Sequence, residues 1–320
     1  MPEPLDKRLL FVTGKGGVGK STVALALGLA AAKRGKRTIV CEVGAAEHAS
    51  KVFRRAEIGF HEVELADNLW TISIDPDDSM REYLMIQLRV RAMGDLLTRS
   101  RIFTYLAAAT PGLKELVTIG KIWELAQLDR RVKKGRKYDL VIVDAPATGH
   151  GIGFLQTPRT FANIARMGPI HSQAKALDAY ITDHSRTGTV IVSIPEEMAV
   201  NETALLEHEL VDEIGVSVDR VYMNAIYPER FSESEIEALA RAAESSNGPA
   251  RAGIRSALSE HRRAAAHREE LDRLRDLVRA PVETLPFIFD PELGVDALRA
   301  LAEELQGQPA PSRVTAGAEA

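Results

Sequence analysis

The chain has 320 residues, of which 27% are charged and 45% hydrophobic, and its formal net charge is -4. That length admits one large α/β domain or two small ones, and the mildly acidic, interleaved charge argues against a nucleic-acid-binding surface. A single cysteine, Cys41, excludes an internal disulfide and a thiolate metal cluster within one chain. No apolar run approaches the roughly 18 to 20 residues of a membrane span and the N-terminus has no signal-peptide core, so a cytoplasmic protein with no integral membrane segment is expected.

The first informative stretch begins at Leu9, Leu10, Phe11 and Val12, an apolar run that reads as a strand, and ends in an Ala/Leu-rich helix over residues 23–32. Between them Gly14, Lys15, Gly16, Gly17, Val18, Gly19, Lys20, Ser21 and Thr22 satisfy the phosphate-loop pattern G-x-x-x-x-G-K-[ST]. Glycines let consecutive backbone N–H groups turn onto a polyphosphate at the positive end of the following helix. Lys20 then supplies a point charge to the terminal phosphates of a nucleotide such as ATP or ADP, and the Ser21 hydroxyl suits the accompanying Mg²⁺.

Gly35, behind Lys33 and Arg34, is the expected stop for this helix. Residues 37–42 (RTIVCE) read as a second strand in which Cys41 packs as a small hydrophobe, and residues 70–74 (WTISI) as a third, followed by the turn DPDD. From about 79 to 135 only helical periodicity appears, a helical insertion whose apolar stripe runs through Leu113, Leu116, Val117, Ile119, Ile122, Leu125 and Leu128.

Residues 138–144 (YDLVIVD) return to strand character and deliver Asp144 at the carboxyl end, the Walker B arrangement, where an aspartate can hold a water on Mg²⁺. The stretch APATGH that follows suits a loop that senses a γ-phosphate, and a short helical segment over about 151–186 comes next. Strand candidates at 188–193, 219–224 and 281–289 alternate with helices, which predicts an α/β fold: a doubly wound, mainly parallel sheet of about seven strands.

Asn224 closes one of these strands. Its carboxamide can present a donor and an acceptor to an adenine edge, and a turn-forming role before Pro228 is the alternative. Residues 233–279 read as charged, solvated helix in which His261 and His267 pair with nothing as metal ligands. Residues 1–305 are read as one domain and 306–320 as a disordered tail.

Lys15, at the second position of GKGGVGKST, resembles the signature lysine of the deviant Walker A found in dimeric P-loop ATPases such as arsenite-efflux and tail-anchored-protein-targeting ATPases. The resemblance implies that Lys15 reaches across a dimer interface to the partner's nucleotide, much as an arginine finger does. DAPATGH is similar to switch II of that family, with its proline one place earlier. The segment PGLKELVTIGKI at 111–122, GPIHSQA at 168–174, and Leu285, Pro286 and Phe287 with the final helix resemble further parts of it, within a bacterial anion-transporting ATPase-like subgroup. On this resemblance Thr22 braces the α-phosphate, Pro286 and Phe287 lie on the adenine side with Asn224, and the partners are a second subunit, identical or related, and a protein client.

Two departures stand beside it. The family's switch I aspartate falls about two dozen residues after the loop lysine. Here that count reaches Gly44, with Glu42 and Glu47 displaced; two strand positions are roughly 6 to 7 Å, and an attacking water needs an acceptor within about 3 Å. The long Met-rich insertion, the CxxC zinc motif and the arsenite-binding cysteines are also missing. The expectation is therefore a Mg-ATP-binding dimeric ATPase handling a protein client, with a hydrolysis-impaired regulatory or scaffolding subunit as the alternative and a partition-type DNA-associated ATPase as a weaker third.

Overall fold

The computed structural model describes residues 3–44, 48–56, 58–88, 111–128, 135–165 and 167–307. Its strands are β1 (Leu9–Gly14), β2 (Thr38–Val43), β3 (Val63–Ala66), β4 (Leu69–Ile74), β5 (Leu140–Asp144), β6 (Thr187–Ser193), β7 (Val218–Ile226) and β8 (Val282–Pro286). They form one sheet in the order β3-β4-β2-β5-β1-β6-β7-β8, parallel throughout except where β3 runs antiparallel to β4. Strands β1, β4, β5 and β6 are buried at every position, which explains their nearly continuous Val, Ile and Leu content.

Side chains alternate between the two faces of the sheet. Leu10, Val12, Val40, Ile142 and Val192 face helices α1 (Lys20–Lys33) and, near the C-terminus, α10 (Val295–Glu304). Leu9, Phe11, Ile39, Cys41, Val141 and Val143 face the opposite core. That core is closed by α4 (Leu113–Ala126), α5 (Thr148–Ile164), α6 (Pro169–Ile181), α7 (Glu197–His208) and α9 (Gly248–Leu277). Each fully buried Leu, Val or Phe contributes about 1.5–3 kcal/mol, so helices on both faces are fixed by ordinary apolar burial. The helix after β1 (α1) packs on one face, while those after its neighbours β5 and β6 (α5 and α7) pack on the other; the carboxyl end of β1 is thus a switch point, where such sheets bind ligands.

Several expectations change in detail. Among the described residues the sheet has eight strands, close to the expected about seven; the addition, β3, is a four-residue edge strand in which only Leu65 is buried, too short for a period-2 pattern to register. In the helical insertion, α3 (Pro76–Leu88) begins at Pro76, α4 buries Leu116, Val117, Ile119, Ile122 and Leu125, and Leu128 lies past its end and is exposed. Residues 89–110 and 129–134 of that insertion lie outside the described residues. In APATGH the backbone of Thr148, Gly149 and His150 forms the first turn of α5 rather than a loop.

Strand β8 ends at Pro286 instead of running to residue 289. Gln306, assigned to the tail, donates its side-chain amide to the Ala30 carbonyl at 2.9 Å; residues 308–320 lie outside the described residues. The charged stretch forms α8 (Glu233–Ser245) and α9, with no buried residue in α8 and only Ala264, Leu271 and Leu274 buried in α9. The short α2 (His48–Val52) follows β2.

Candidate functional site

The glycine loop spans the gap between the end of β1 and the start of α1, and the Val18 side chain pins it by burying itself in the α1-side core. Gly17 and Gly19 take left-handed backbone conformations (φ 84° and 91°). A Cβ on Gly19 would lie 2.5 Å from Asn224 Nδ2, so that position admits no larger residue without displacing Asn224. The Lys20 ammonium donates to the Lys15 carbonyl at 2.8 Å. Burial holds the Lys20 pKa below the ordinary lysine value, with the Asp144 charge opposing.

In the first turn of α1, the Ser21 hydroxyl donates to Asp144 Oδ2 at 2.5 Å. Burial raises the Asp144 pKa, opposed by that hydrogen bond and by the Lys20 charge. A hydroxyl and a carboxylate side by side are hard oxygen donors of the kind Mg²⁺ takes, and Mg²⁺ draws its remaining ligands from water and nucleotide phosphates. Among the described residues no cluster of three or more His, Cys, Asp or Glu could hold a metal on its own. Ser21 and Asp144 would hold it.

Beside Asp144, the neighbouring strand brings up Glu42, its partner in the β2–β5 register. Glu42 is 1% exposed; Oε1 accepts the Ala49 N–H at 2.8 Å, and the buried Oε2 has no hydrogen-bond partner. Its pKa is pushed up to about 7 by burial, with the Asp144 charge adding and the Ala49 and His48 amides opposing. Two residues on, Gly44 follows the end of β2 at φ 89°, its N–H donating to the Ile74 carbonyl at 3.1 Å and its carbonyl accepting from Ser73 Oγ at 3.0 Å. Thr22, expected at the α-phosphate, has its hydroxyl 3.2 Å from His48 Nε2 at the start of α2. Glu47 lies outside the described residues.

Lys15 is held within its own chain: Nζ lies 2.8 Å from Glu202 Oε1 on α7. Asn224, on β7, donates Nδ2 to the Val18 carbonyl of the loop at 2.9 Å. Strand β7 continues past Asn224 to Ile226 through a register shift, with Ala225 in a left-handed conformation (φ 61°); this irregularity re-aims the strand end, as bulges near sites do. Pro286 pairs with Ile226, and the Phe287 N–H donates to the Ile226 carbonyl at 2.8 Å. The Phe287 ring packs on Tyr227 and Phe289 at centroid distances of 4.7 and 4.9 Å. His267 joins this cluster by accepting the Tyr227 N–H at Nδ1, 3.3 Å away.

The structure thus brings Gly14 to Thr22, Asp144 and Asn224 to one end of the sheet and sets Pro286 and Phe287 one strand further out. Glu202, His48, Tyr227 and Phe289 escaped the sequence reading. Glu202 lies on a helix of ordinary composition 187 residues from Lys15, and no spacing signals that contact. Glu42 carried a signal, an acid at the end of an apolar strand, that the displaced count set aside.

A second feature lies away from the loop. A cavity of about 310 Å³ between α3, α4 and α6 is lined by Leu113, Leu116, Val117, Trp123, Ile170 and Leu177, with Lys121 and Glu82 ion-paired at 2.8 Å on its wall. Ile164 and Met167 stand exposed nearby in sequence to Ile170. No helix among the described residues is long and apolar enough to cross a membrane.

A central parallel strand that ends in a glycine loop, a helix that starts with Lys20 and Ser21, and an aspartate from the adjacent strand against that serine define a P-loop nucleotide-binding protein. The profile of the Anion-transporting ATPase family matches residues 7–170 and 162–247, and the chain belongs to that family. It is 29% identical to the ATPase BagA of Mycobacterium tuberculosis over 326 residues, covering 94% of this chain and 93% of that protein. It is 27% identical to an arsenical pump-driving ATPase of Acidiphilium multivorum over 278 residues, or 78% of this chain and 44% of the longer relative. With the ATPase GET3 of Kluyveromyces lactis the identity is 25% over 263 residues, covering 71% and 74%.

Proposed function

We propose that this chain is a Mg-ATP-dependent ATPase that works as a dimer in the cytoplasm, turning nucleotide state into a change of subunit arrangement that handles a protein client. The observation that carries it is the Ser21–Asp144 contact directly behind a glycine loop. Loop N–H groups and Lys20 bind the phosphates, Ser21 and Asp144 hold Mg²⁺, and Thr22 braces the α-phosphate after parting from His48. Asn224, Pro286 and Phe287 flank adenine. Lys15 leaves Glu202 and neutralises transition-state charge on the partner's nucleotide. Mg²⁺ held by Ser21 and Asp144 would supply charge stabilisation to the nucleotide's phosphates. The apolar cavity between α3, α4 and α6 supports the client role.

Gly44 favours a second reading, a hydrolysis-impaired subunit that binds nucleotide and regulates a related chain, since this position offers no side chain to an attacking water. Turnover by the purified chain, alone and as Lys15→Ala, separates them. Robust Mg²⁺-dependent hydrolysis lost in the variant supports the first reading, and hydrolysis that arises only on adding a related chain supports the second. Salt-sensitive duplex DNA binding by the ATP-loaded protein would instead revive a partition-type role.

A further inference from the structure

Glu42 is a buried acid that the cation site as described leaves unused. Residues paired across adjacent strands share a face and stand about 4.8 Å apart, so the β2–β5 register puts Glu42 on the same side of the sheet as Asp144, whose carboxylate meets Ser21. The Ala49 N–H of α2 donates to Glu42 Oε1 at 2.8 Å, and the His48 amide also favours the ionised carboxylate. The other oxygen, Oε2, is inaccessible to bulk solvent and has no hydrogen-bond partner. A buried carboxylate oxygen with no partner carries an uncompensated desolvation penalty, and native structures rarely leave one unused.

Resting on the nucleotide-binding reading above, we infer that Glu42 is the outer acid of the cation site. Oε2 accepts a hydrogen bond from a water in the Mg²⁺ shell, and Oε1 ties that water to the first turn of α2. Glu42 is a positioning residue: Ser21 and Asp144 hold the cation, and Glu42 orients its water and couples the cation to α2. This chain thereby keeps an acid at the end of β2 although the position two residues later is glycine.

The test is ADP affinity of the full-length protein with excess Mg²⁺ and with EDTA, for wild type, Glu42→Gln and Asp144→Asn. In Glu42→Gln the single acceptor oxygen is taken by the Ala49 N–H, and an amino group that can only donate faces the cation's water. The expected result is an unchanged affinity in EDTA and a gain from Mg²⁺ that shrinks about 10-fold, the usual effect of losing an outer-shell partner. A full Mg²⁺ gain in Glu42→Gln, with Asp144→Asn losing it, overturns the inference while leaving the nucleotide site standing; no Mg²⁺ gain in wild type removes both. Hydrogen exchange on wild type decides the matter if the variant does not fold. Slower exchange of the Ala49 amide with Mg-ADP than with ADP in EDTA supports the inference, and equal exchange sinks it.

Discussion

Lys15 Nζ lies 2.8 Å from Glu202 Oε1, and both side chains are about one-third exposed, at 33% and 34%. Solvent-screened pairs of this kind contribute about 0–1 kcal/mol, so the contact holds the lysine in place without locking it. Lys15→Ala should therefore leave the unfolding midpoint nearly unchanged while removing most ATP turnover and ATP-dependent dimerisation, read by phosphate release and sedimentation. Glu202→Gln should keep turnover or raise it. A loss as deep as that of Lys15→Ala would mean that the intrachain pair itself is the working arrangement.

The burial of Glu42 predicts a pH dependence with a definite sign. Its folded pKa of about 7 lies above the ordinary glutamate value of 4.5, so the folded state holds this proton more tightly than the unfolded chain does. In nucleotide-free protein in EDTA, stability from this group is complete below about pH 4.5, declines as pH rises toward 7, and is flat beyond. The loss is on the order of 3 kcal/mol at most. Urea unfolding at pH 5 and pH 8 should show Glu42→Gln with a shallower decline and greater stability than wild type at pH 8. A parallel decline in both proteins would place the titration elsewhere.

Asn224 donates to the Val18 carbonyl at 2.9 Å, which makes its two nearest substitutions unequal. Asn224→Ala loses one hydrogen bond, worth about 1 kcal/mol, and should weaken ADP binding several-fold. Asn224→Asp sets a carboxylate oxygen against that carbonyl and should weaken it further, despite its closer shape. Titration of a fluorescent ADP analogue would rank them, and equal losses would mean that the loop contact does not matter to binding.

Gly44 combines a left-handed backbone (φ 89°) with open space: a Cβ there meets nothing within 4 Å. Gly44→Asp should cost about 1 kcal/mol in backbone strain, a small shift in thermal midpoint. If hydrolysis is limited by the missing acid, turnover should rise by about 10-fold or more, within the range general-base groups supply. Unchanged turnover in a folded variant would show that another group serves the attacking water.

Local chemistry was enough to read the loop, the strand on each side of it, and Asp144 from the order of residues, because phosphate binding demands glycines, a lysine and a hydroxyl at fixed spacing. Alternating buried strands and helices likewise carried the parallel sheet, since strands covered on both faces need uninterrupted apolar side chains. Contacts between distant segments were not encoded that way. Whether Lys15 meets Glu202, whether Glu42 lies beside Asp144, and whether Asn224 grips Val18 depend on strand order, on register and on a bulge at Ala225. These arise from packing two cores against one sheet, and residue spacing along the chain holds no record of them. Length, composition and motif thus determined that a phosphate-loop sequence follows β1; the tertiary structure decided which acids and amides surround that loop.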